Sequence, residues 1–292
     1  MNGIGSAWGA MSFVNAIPTG IGAAAAISLL VRAEVELTPP RGEVGVLQIP
    51  GPSDTPLVRT SLLEALRSIA PDEAFDVDLR LNSSIPPGRG LKSSSAVPVA
   101  ILRAVASAAG TALTASEAAS FSATVGRAAG VSATGAFDDA AASAMGGIVV
   151  ADTTEHRLLR HDAPAPEWTA VLWVPRETHR PAPEWFEAFR ERAGAGRGAA
   201  DAARLGRYLV ALDRNTELVE EVMGYDYRPL RLELRRQGAL AAGVSGLGPT
   251  LAAIVPSGSR SKVNRAMPVG RGEVLAVDLV QLGELSRDRG AP

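Results

Sequence analysis

Residues 86–96 read PPGRGLKSSSA, and this is the most informative stretch of the chain. It joins an alternating strand pattern, Phe75–Leu81, to an alanine-rich run that predicts a helix over Val97–Ala109. Gly88 and Gly90 allow the backbone to turn tightly and to approach a ligand closely. The first N–H groups of a helix have no intrahelical partner, and the helix dipole favours negative charge beside them. The stretch therefore predicts an anion site of the kind that binds phosphate.

Lysine is rare in this chain, and one of its lysines lies within the loop. Among 29 lysines and arginines, only Lys92 and Lys262 are lysines. A lysine at this place would add a compact positive charge to bound phosphates. The plainer interpretation is that Lys92 is a solvated loop residue and that Ser93–Ser95 only cap the helix. Both interpretations are open at this point.

Composition excludes several classes of protein. The chain of 292 residues is long enough for two modest domains or one large one, and its 46% hydrophobic and 21% charged residues are typical of a globular protein. A net charge of −2 gives no electrostatic reason to expect nucleic acid or an anionic membrane as partner. The absence of cysteine excludes disulfides and thiolate catalysis. The three histidines lack the spacing of a histidine zinc site.

Organisation along the chain indicates two domains of an α+β protein. No basic side chain precedes Arg32, and the apolar run Ile21–Val31 is too short to span a bilayer, so we expect a cytoplasmic protein.

A proline-rich linker around Pro164 predicts an N-terminal domain over residues 1–162 and a C-terminal domain over residues 163–292. Strands, helices and strands follow one another without regular alternation, which favours an α+β fold.

Hydrophobic patterns predict the individual elements. Strands are predicted over Ala23–Leu37, Val44–Ile49, Gly146–Val150, Trp168–Val174, Ala252–Val255 and Val274–Leu279. Helices are predicted over Pro56–Ile69 with Asp54 as cap, from the capping box Thr114–Glu117 to Ala129, and over Pro183–Arg192, Ala199–Gly224 and Pro229–Gln237. The glycines of Gly194–Gly198 predict a flexible joint between two of these helices.

Two common phosphate-binding motifs are not present. A Walker A loop requires Gly-Lys-Ser or Gly-Lys-Thr, whereas Lys92 follows a leucine and Lys262 follows a serine. The segment Gly20–Gly22 has part of the spacing of a dinucleotide-binding fingerprint, but it leads into a strand pattern rather than a helix. The loop at residues 86–96 must therefore be interpreted in another way.

Three motifs, taken together and in order, resemble those of the GHMP kinase superfamily. The first is the loop itself, with a proline, three residues, Gly-Leu, one residue and Ser-Ser-Ser-Ala. Residues 243–250, GVSGLGPT, resemble the C-terminal glycine-rich motif, and residues 15–24, NAIPTGIGAA, lie where the N-terminal motif belongs. With residues 134–140, TGAFDDA, the chain is most similar within the superfamily to the archaeal-type shikimate kinases.

The resemblance implies an activity and a fold. The activity is the ATP-dependent phosphorylation of the 3-hydroxyl of shikimate with Mg²⁺. The fold is a domain like the second domain of ribosomal protein S5, followed by a ferredoxin-like domain. A related cyclitol, polyol or hydroxy acid is the alternative acceptor, and a nucleotide-binding sensor without catalysis is the alternative class. The expected partner is a small-molecule alcohol, with a homodimer possible and with no nucleic acid or membrane.

The resemblance also implies roles for individual residues. Nucleotide binding is implied for Pro86, Gly88, Arg89, Gly90, Leu91, Lys92, Ser93, Ser94, Ser95, Ser245, Gly246 and Gly248. Acceptor binding is implied for Asn15, Thr19, Gly20, Thr134 and Gly135. Ser94 matches the metal-contacting serine of related kinases, and Lys92 is also a candidate catalytic residue.

Asp138 and Asp139 are the candidates for the acid that orients or deprotonates the attacking hydroxyl. Asp138 is favoured because Asp138-Asp139-Ala140 matches the Asp-Asn-Ala of related kinases. Asp139 stays open because the spacing to Gly146-Gly147 differs by one residue. The alternative interpretation is that both acids only stabilise the start of the helix that follows them.

The sequence departs from the family at two places. Related kinases carry a metal-binding glutamate upstream of the catalytic aspartate, where this chain has residues 124–127, TVGR, and where the nearest preceding acid is Glu117. The lysine expected between the glycines of the N-terminal motif is replaced by Ile21. A carboxylate on the acceptor requires a cation, for which the candidates are Arg89, Arg127, Arg176, Arg180 and Arg228.

Overall fold

The longest strand organises the N-terminal sheet. The computed structural model describes residues 1–42, 45–176 and 182–283. Strand β2 (Ile21–Thr38) pairs along one edge with the antiparallel β1 (Asn2–Val14). The other edge of β2 pairs first with β5 (Ile148–Asp152) and then with β4 (Asp76–Ser83), both antiparallel. β6 (Arg157–Asp162) extends the sheet beyond β5, and the two-residue β3 at positions 47–48 lies beside β4.

The second sheet lies in the C-terminal part of the chain and has four antiparallel strands in the order β10-β7-β9-β8. These strands are β7 (Trp168–Pro175), β8 (Ala241–Val244), β9 (Leu251–Pro256) and β10 (Gly272–Asp278). The helices are α1 (Pro56–Ile69), α2 (Ser93–Ala108), α3 (Ala115–Ala128), α4 (Phe137–Met145), α5 (Pro183–Glu191), α6 (Ala193–Arg204), α7 (Tyr208–Met223), α8 (Arg228–Arg236) and α9 (Arg260–Ala266).

Small side chains bring α2 and α4 close to the N-terminal sheet. Residues 23–26 of β2 are four fully buried alanines, and nearly every residue of α4 is buried. Gly3 and Gly5 of β1 lie directly against the backbone of α2, so that a Cβ at either position would overlap an α2 carbonyl oxygen. The two helices also contact each other, and an ion pair between Lys92, the N-cap of α2, and Asp139, in the first turn of α4, shows that their N-terminal ends are adjacent. This packing positions the site described below.

The α+β fold class is confirmed, and several boundaries differ from the prediction. Helix α2 begins at Ser93, so the serines belong to its first turn. Thr55, and not Asp54, caps α1: its Oγ1 accepts the N–H of Val58, while Asp54 forms an ion pair with Arg59. The capping box of Thr114 and Glu117 at α3 is confirmed. Strands β1, β6 and β8 were not predicted.

The predicted joint at Gly194–Gly198 is wrong. Helix α6 runs through these glycines, and the chain breaks instead at residues 205–207, where Gly206 has a φ of 72°. The predicted helix Ala199–Gly224 is therefore two helices, α6 and α7. The division after residue 162 stays a prediction; strands of the first sheet end at Asp162, and those of the second begin at Trp168. Val44, His179 and Arg180 lie outside the described residues.

Candidate active site

The sequence motifs meet at one cavity of about 500 Å³. Eleven residues of the predicted site line it: Asn15, Gly88, Gly90, Lys92, Ser93, Ser94, Thr134, Asp138, Asp139, Gly246 and Gly248. Eight others do not: Pro86, Arg89, Leu91, Ser95, Ser245, Thr19, Gly20 and Gly135. The structure therefore brings together the glycine-serine loop, the end of β1, the start of α4 and the C-terminal glycine loop.

The glycine-serine loop presents an uncapped helix end to the cavity. Gly88, Gly90 and Lys92 have left-handed backbone conformations, with φ values of 67°, 80° and 66°. Lys92 is the N-cap of α2 and makes no side-chain capping bond, and the first turn of α2 contains no acid. The N–H groups of Ser95 and Ala96 donate to the Lys92 carbonyl, so the N–H groups of Ser93 and Ser94 and the positive dipole end of this 16-residue helix are left for an anion.

Ser245 joins three of the segments that form the cavity. Its Oγ donates a hydrogen bond of 2.7 Å to the carbonyl of Gly90 and accepts the N–H of Ser12 at 3.0 Å. Gly90 is pressed against the C-terminal glycine loop, since a Cβ there would overlap the Ser245 carbonyl oxygen and lie 3.0 Å from that of Gly248. Because Ser245 is completely buried, its side chain ties the loops together rather than lining the cavity.

Lys92 does not point into solvent. Its Nζ lies 3.0 Å from Oδ2 of Asp139, and the two side chains are only 12% and 8% exposed. A Cβ at Gly246 would lie 2.7 Å from the same Nζ, so the C-terminal glycine loop covers the lysine. The other carboxylate oxygen of Asp139, Oδ1, is buried and has no hydrogen-bond partner among the described residues. The interpretation of Lys92 as a solvated loop residue is therefore wrong.

Asp138 occupies a different environment from its neighbour. It is 3% exposed, and its carboxyl group is packed against Gly22 of β2, where a Cβ would overlap it. Burial raises the pKa of Asp138 well above its usual value, and the charge of Asp139 raises it further, against a smaller lowering by Lys92. Asp138 and Asp139 both lie in the first turn of α4, but neither caps the helix, whose N-cap is Ala136. Two adjacent acids thus differ in their partners.

The predicted residues outside the cavity have structural partners. Thr19 Oγ1 accepts the N–H of Ile21, and the carbonyl of Gly20 accepts from Thr153, so both form the turn before β2. Gly135 packs against Arg127, which donates to the carbonyl of Thr134 at 3.2 Å.

No arginine of the described residues lines the cavity. Arg127 contacts Nε2 of His156 as well as the Thr134 carbonyl, and Arg89 donates to the Pro175 carbonyl. Glu117 is engaged in the capping box of α3 and is exposed, so it does not occupy the place of the missing glutamate. Within the described ranges no group of three or more histidine or acidic residues is arranged to hold a metal ion.

Sequence reasoning missed several residues of the cavity wall. Trp185 and Phe186 of α5 line it, as do Ser12 of β1 and the loop 130–133 before α4. Trp185 and Phe186 lie in a segment that has the pattern of an ordinary amphipathic helix. Nothing in that pattern indicates a ligand-binding site. The packing of α5 against α6 and α7 brings these two residues to the site.

Comparison with known proteins identifies the family of this chain. The family model "GHMP kinases N terminal domain" matches residues 58–147. The chain is 35% identical to the shikimate kinase of Archaeoglobus fulgidus over 85% of its length and 82% of that protein. It is 36% identical to the shikimate kinase of Pyrococcus abyssi, over 87% and 92% of the two chains. The chain belongs to the shikimate kinase family of the GHMP kinases.

Solved structures confirm the GHMP kinase fold. A homoserine kinase from Listeria monocytogenes superposes with a TM-score of 0.66 at 21% identity, covering 97% of this chain and 98% of the other. The mevalonate kinase of Methanococcus jannaschii superposes with a TM-score of 0.71 at 14% identity, covering 96% and 98%. In the part of this GHMP kinase that the structure describes, no helix has both the length and the apolar character needed to cross a membrane.

Proposed function

We propose that this protein is an ATP-dependent kinase that phosphorylates the 3-hydroxyl of shikimate, giving shikimate 3-phosphate and ADP. The observation that carries the proposal is the convergence of three kinase motifs and a buried lysine–aspartate pair on one cavity. Phosphoryl transfer requires positioning and neutralisation of charge more than covalent chemistry. The cavity offers both, in a chain that belongs to the shikimate kinase family.

The glycine-serine loop binds the phosphates of ATP in this proposal. The N–H groups at the start of α2 point to an anion, and no acid of the first turn competes with it. Gly88 and Gly90 line the cavity without side chains, so the phosphates approach the backbone directly. Residues 246–248, which lie against this loop at Gly90, also line the cavity.

The residues present also fit a magnesium ion, within limits. Mg²⁺ takes hard oxygen ligands and is usually held by one or two protein groups together with substrate phosphates. The Ser94 hydroxyl lines the cavity beside the proposed phosphate site, and the buried Oδ1 of Asp139 has no partner among the described residues. Ser94 would hold the ion with the phosphates, and the ion would neutralise the charge that develops on them.

We assign the catalytic acid to Asp139 rather than to Asp138. A group that accepts a proton from the acceptor hydroxyl must be ionised and must reach the cavity. Asp139 lines the cavity and forms an ion pair with Lys92 through one oxygen, and its other oxygen has no hydrogen-bond partner among the described residues. Asp138 is packed against Gly22, and its burial favours the protonated form. The Asp-Asn-Ala match favours Asp138 as the acid. The buried position of its side chain against Gly22 favours Asp139 instead.

Lys92 has a second role in this proposal. The family lysine of the N-terminal motif is absent here, and Ile21 at its place is buried. In place of that lysine, Lys92 of the nucleotide loop is the cation that contacts Asp139. Its charge offsets the repulsion between Asp139 and the phosphates, so that both are held in one small cavity.

The test measures ADP release from the purified chain with Mg²⁺-ATP and a panel of acceptors containing shikimate, other cyclitols, polyols and hydroxy acids. Shikimate is expected to give the highest kcat/KM. Turnover of another alcohol without turnover of shikimate would contradict the substrate assignment. ATP binding without turnover of any acceptor would instead favour the non-catalytic sensor.

The matched pair Asp139→Asn and Asp138→Asn tests the assignment of the acid. Asp139→Asn is expected to lower kcat by about 10²-fold or more with little change in ATP affinity, since only the proton acceptor is lost. Asp138→Asn keeps the shape of a side chain whose pKa burial raises well above its usual value, and its kcat is expected to fall less than about tenfold. A larger loss in Asp138→Asn than in Asp139→Asn would return the role to Asp138.

We also propose the two-domain division at residues 162 and 163 and a cytoplasmic location. The strands of the two sheets fall on either side of the proposed boundary, which supports the division. Limited proteolysis followed by mass spectrometry tests it, with first cleavage expected in the linker around Pro164. A homodimer stays a prediction, which light scattering on the purified chain tests.

A further inference from the structure

Two consecutive residues of α7 hold two different segments of the active site. Asn215 Oδ1 accepts the backbone N–H of Asn15 at 2.7 Å, across 200 residues of sequence. Thr216 Oγ1 accepts the backbone N–H of Val244 at 3.0 Å and donates to the Leu212 carbonyl. Asn215 is 2% exposed and Thr216 is fully buried, so neither side chain has an alternative partner in water.

The segment held by Asn215 carries Asn15, for which the family resemblance implies acceptor binding. Asn15 lines the cavity, and its own Oδ1 accepts the N–H of Ile17 at 2.9 Å. Its amide Nδ2 is buried and has no hydrogen-bond partner among the described residues. A buried amide without a partner costs free energy that a bound oxygen atom would recover. Asn15 is therefore set to donate to a ligand.

The segment held by Thr216 leads to the nucleotide side. Val244 precedes Ser245, which binds the carbonyl of Gly90 in the nucleotide loop. A Cβ at Gly243 would overlap Thr216 Oγ1, so β8 lies directly on α7 at this point. Displacing Thr216 would therefore move the C-terminal glycine loop and, through Ser245, the loop of Gly90.

We propose that Asn215 is a positioning residue for acceptor binding and that Thr216 is a separate positioning residue for nucleotide binding. The inference rests on the proposed kinase function and deepens it. Asn215 acts through Asn15, whose amide donates to a hydroxyl or carboxylate oxygen of the acceptor. Thr216 acts through Val244 and the C-terminal glycine loop. Neither side chain touches the reacting atoms.

The experiment compares Asn215→Leu and Thr216→Val with Val219→Ala, a core truncation one turn further along α7. Asn215→Leu is expected to raise the acceptor KM at least about tenfold and leave the ATP KM within about twofold, because a displacement of Asn15 affects one substrate only. Thr216→Val is expected to raise the ATP KM at least about tenfold and to leave the acceptor KM within about twofold. Val219→Ala is expected to lower the thermal midpoint and change neither KM.

Two further measurements separate positioning from general damage. Asn215→Asp keeps an oxygen that accepts the Asn15 N–H, and its acceptor KM is expected to return towards that of the wild type. Adding Asn15→Ala to Asn215→Leu is expected to raise the acceptor KM little beyond the single variants, since both changes remove the same interaction. Equal rises of both KM values in Asn215→Leu and in Thr216→Val would overturn the proposal.

Hydrogen exchange gives an answer that does not depend on the acceptor. The amide of Asn15 is expected to exchange faster in Asn215→Leu than in the wild type or in Val219→Ala, because only that variant removes its bonding partner. Unchanged protection of this amide would refute the role of Asn215 whichever alcohol the enzyme uses. If the wild type turns over an alcohol other than shikimate, the shikimate proposal fails, and the KM comparison is made with that alcohol.

Discussion

Gly90→Ala offers the sharpest test of how the two glycine loops are assembled. Gly90 has a φ of 80°, and a Cβ there would overlap the carbonyl oxygen of Ser245 and lie 3.0 Å from that of Gly248. Gly88 has a similar φ of 67°, but a Cβ there would meet nothing within 4 Å. The same substitution at Gly88 therefore carries the conformational cost without the steric one.

The magnitudes follow from these contacts. A left-handed conformation costs alanine about 1–2 kcal/mol at either position. At Gly90 the overlap forces backbone atoms apart, which costs about 1–3 kcal/mol, and separation of the loops loses the Ser245–Gly90 hydrogen bond, worth about 1 kcal/mol. Gly90→Ala is therefore expected to lower the free energy of unfolding by about 3–6 kcal/mol, and Gly88→Ala by about 1–2 kcal/mol.

Urea unfolding followed by tryptophan fluorescence measures both values, with nucleotide affinity as a second readout. Gly90→Ala is also expected to weaken ATP binding, because the loop that cradles the phosphates has moved away from the C-terminal glycine loop. Equal losses of stability in the two variants would refute the reasoning, since the contact with Ser245 would then contribute nothing.

Two further predictions concern buried acids and a buried phenol. Gly22→Ala is expected to lower kcat at least about tenfold, because its Cβ would overlap the Asp138 carboxyl group and shift the first turn of α4, which also carries Asp139. Gly258→Ala, with open space around it, is expected to leave kcat unchanged. Equal kcat values in the two variants would contradict this packing. Burial, helped by the hydrogen bond to Asp162, raises the pKa of Tyr208 from 10.0 to about 12. Between these pH values the folded chain keeps a proton that the unfolded chain loses, so the free energy of unfolding falls as the pH rises. Tyr208→Phe is expected to remove this part of the alkaline loss in urea unfolding, and an unchanged pH dependence would contradict the assignment.

Much of the site could be predicted because its chemistry is local. A phosphate loop requires glycines, hydroxyls and a helix start within about ten residues, and residues 86–96 carry all of them in order. The start of α4 could be located for the same reason, since its two acids follow a glycine turn directly. Of the predicted residues at these two turns, most line the cavity: Gly88, Gly90, Lys92, Ser93, Ser94, Asp138 and Asp139. Arg89, Leu91 and Ser95 do not.

Other features depend on contacts that no local pattern records. Strand β1 was missed because glycine and alanine are depleted in strands, and its glycines are explained only by the backbone of α2 that lies against them. Ser245 was predicted to bind nucleotide, yet its hydroxyl is used between Ser12 and Gly90. The glycines of α6 predicted a joint, but the packing of α6 on α7 keeps them helical.

The phosphate loop and the pair of candidate acids could be found without a structure, because each depends on residue types at short spacing. The α+β class followed from the order of the predicted elements, and the kinase superfamily from the resemblance of three motifs in order. Only the tertiary structure decided which acid meets Lys92, which residues reach the cavity, and that Asn215 and Thr216 hold its two sides. The physical reason is distance along the chain. A charge pair across 47 residues or a hydrogen bond across 200 residues depends on how helices pack on the sheets, and that packing is the sum of many weak contacts that no single motif encodes.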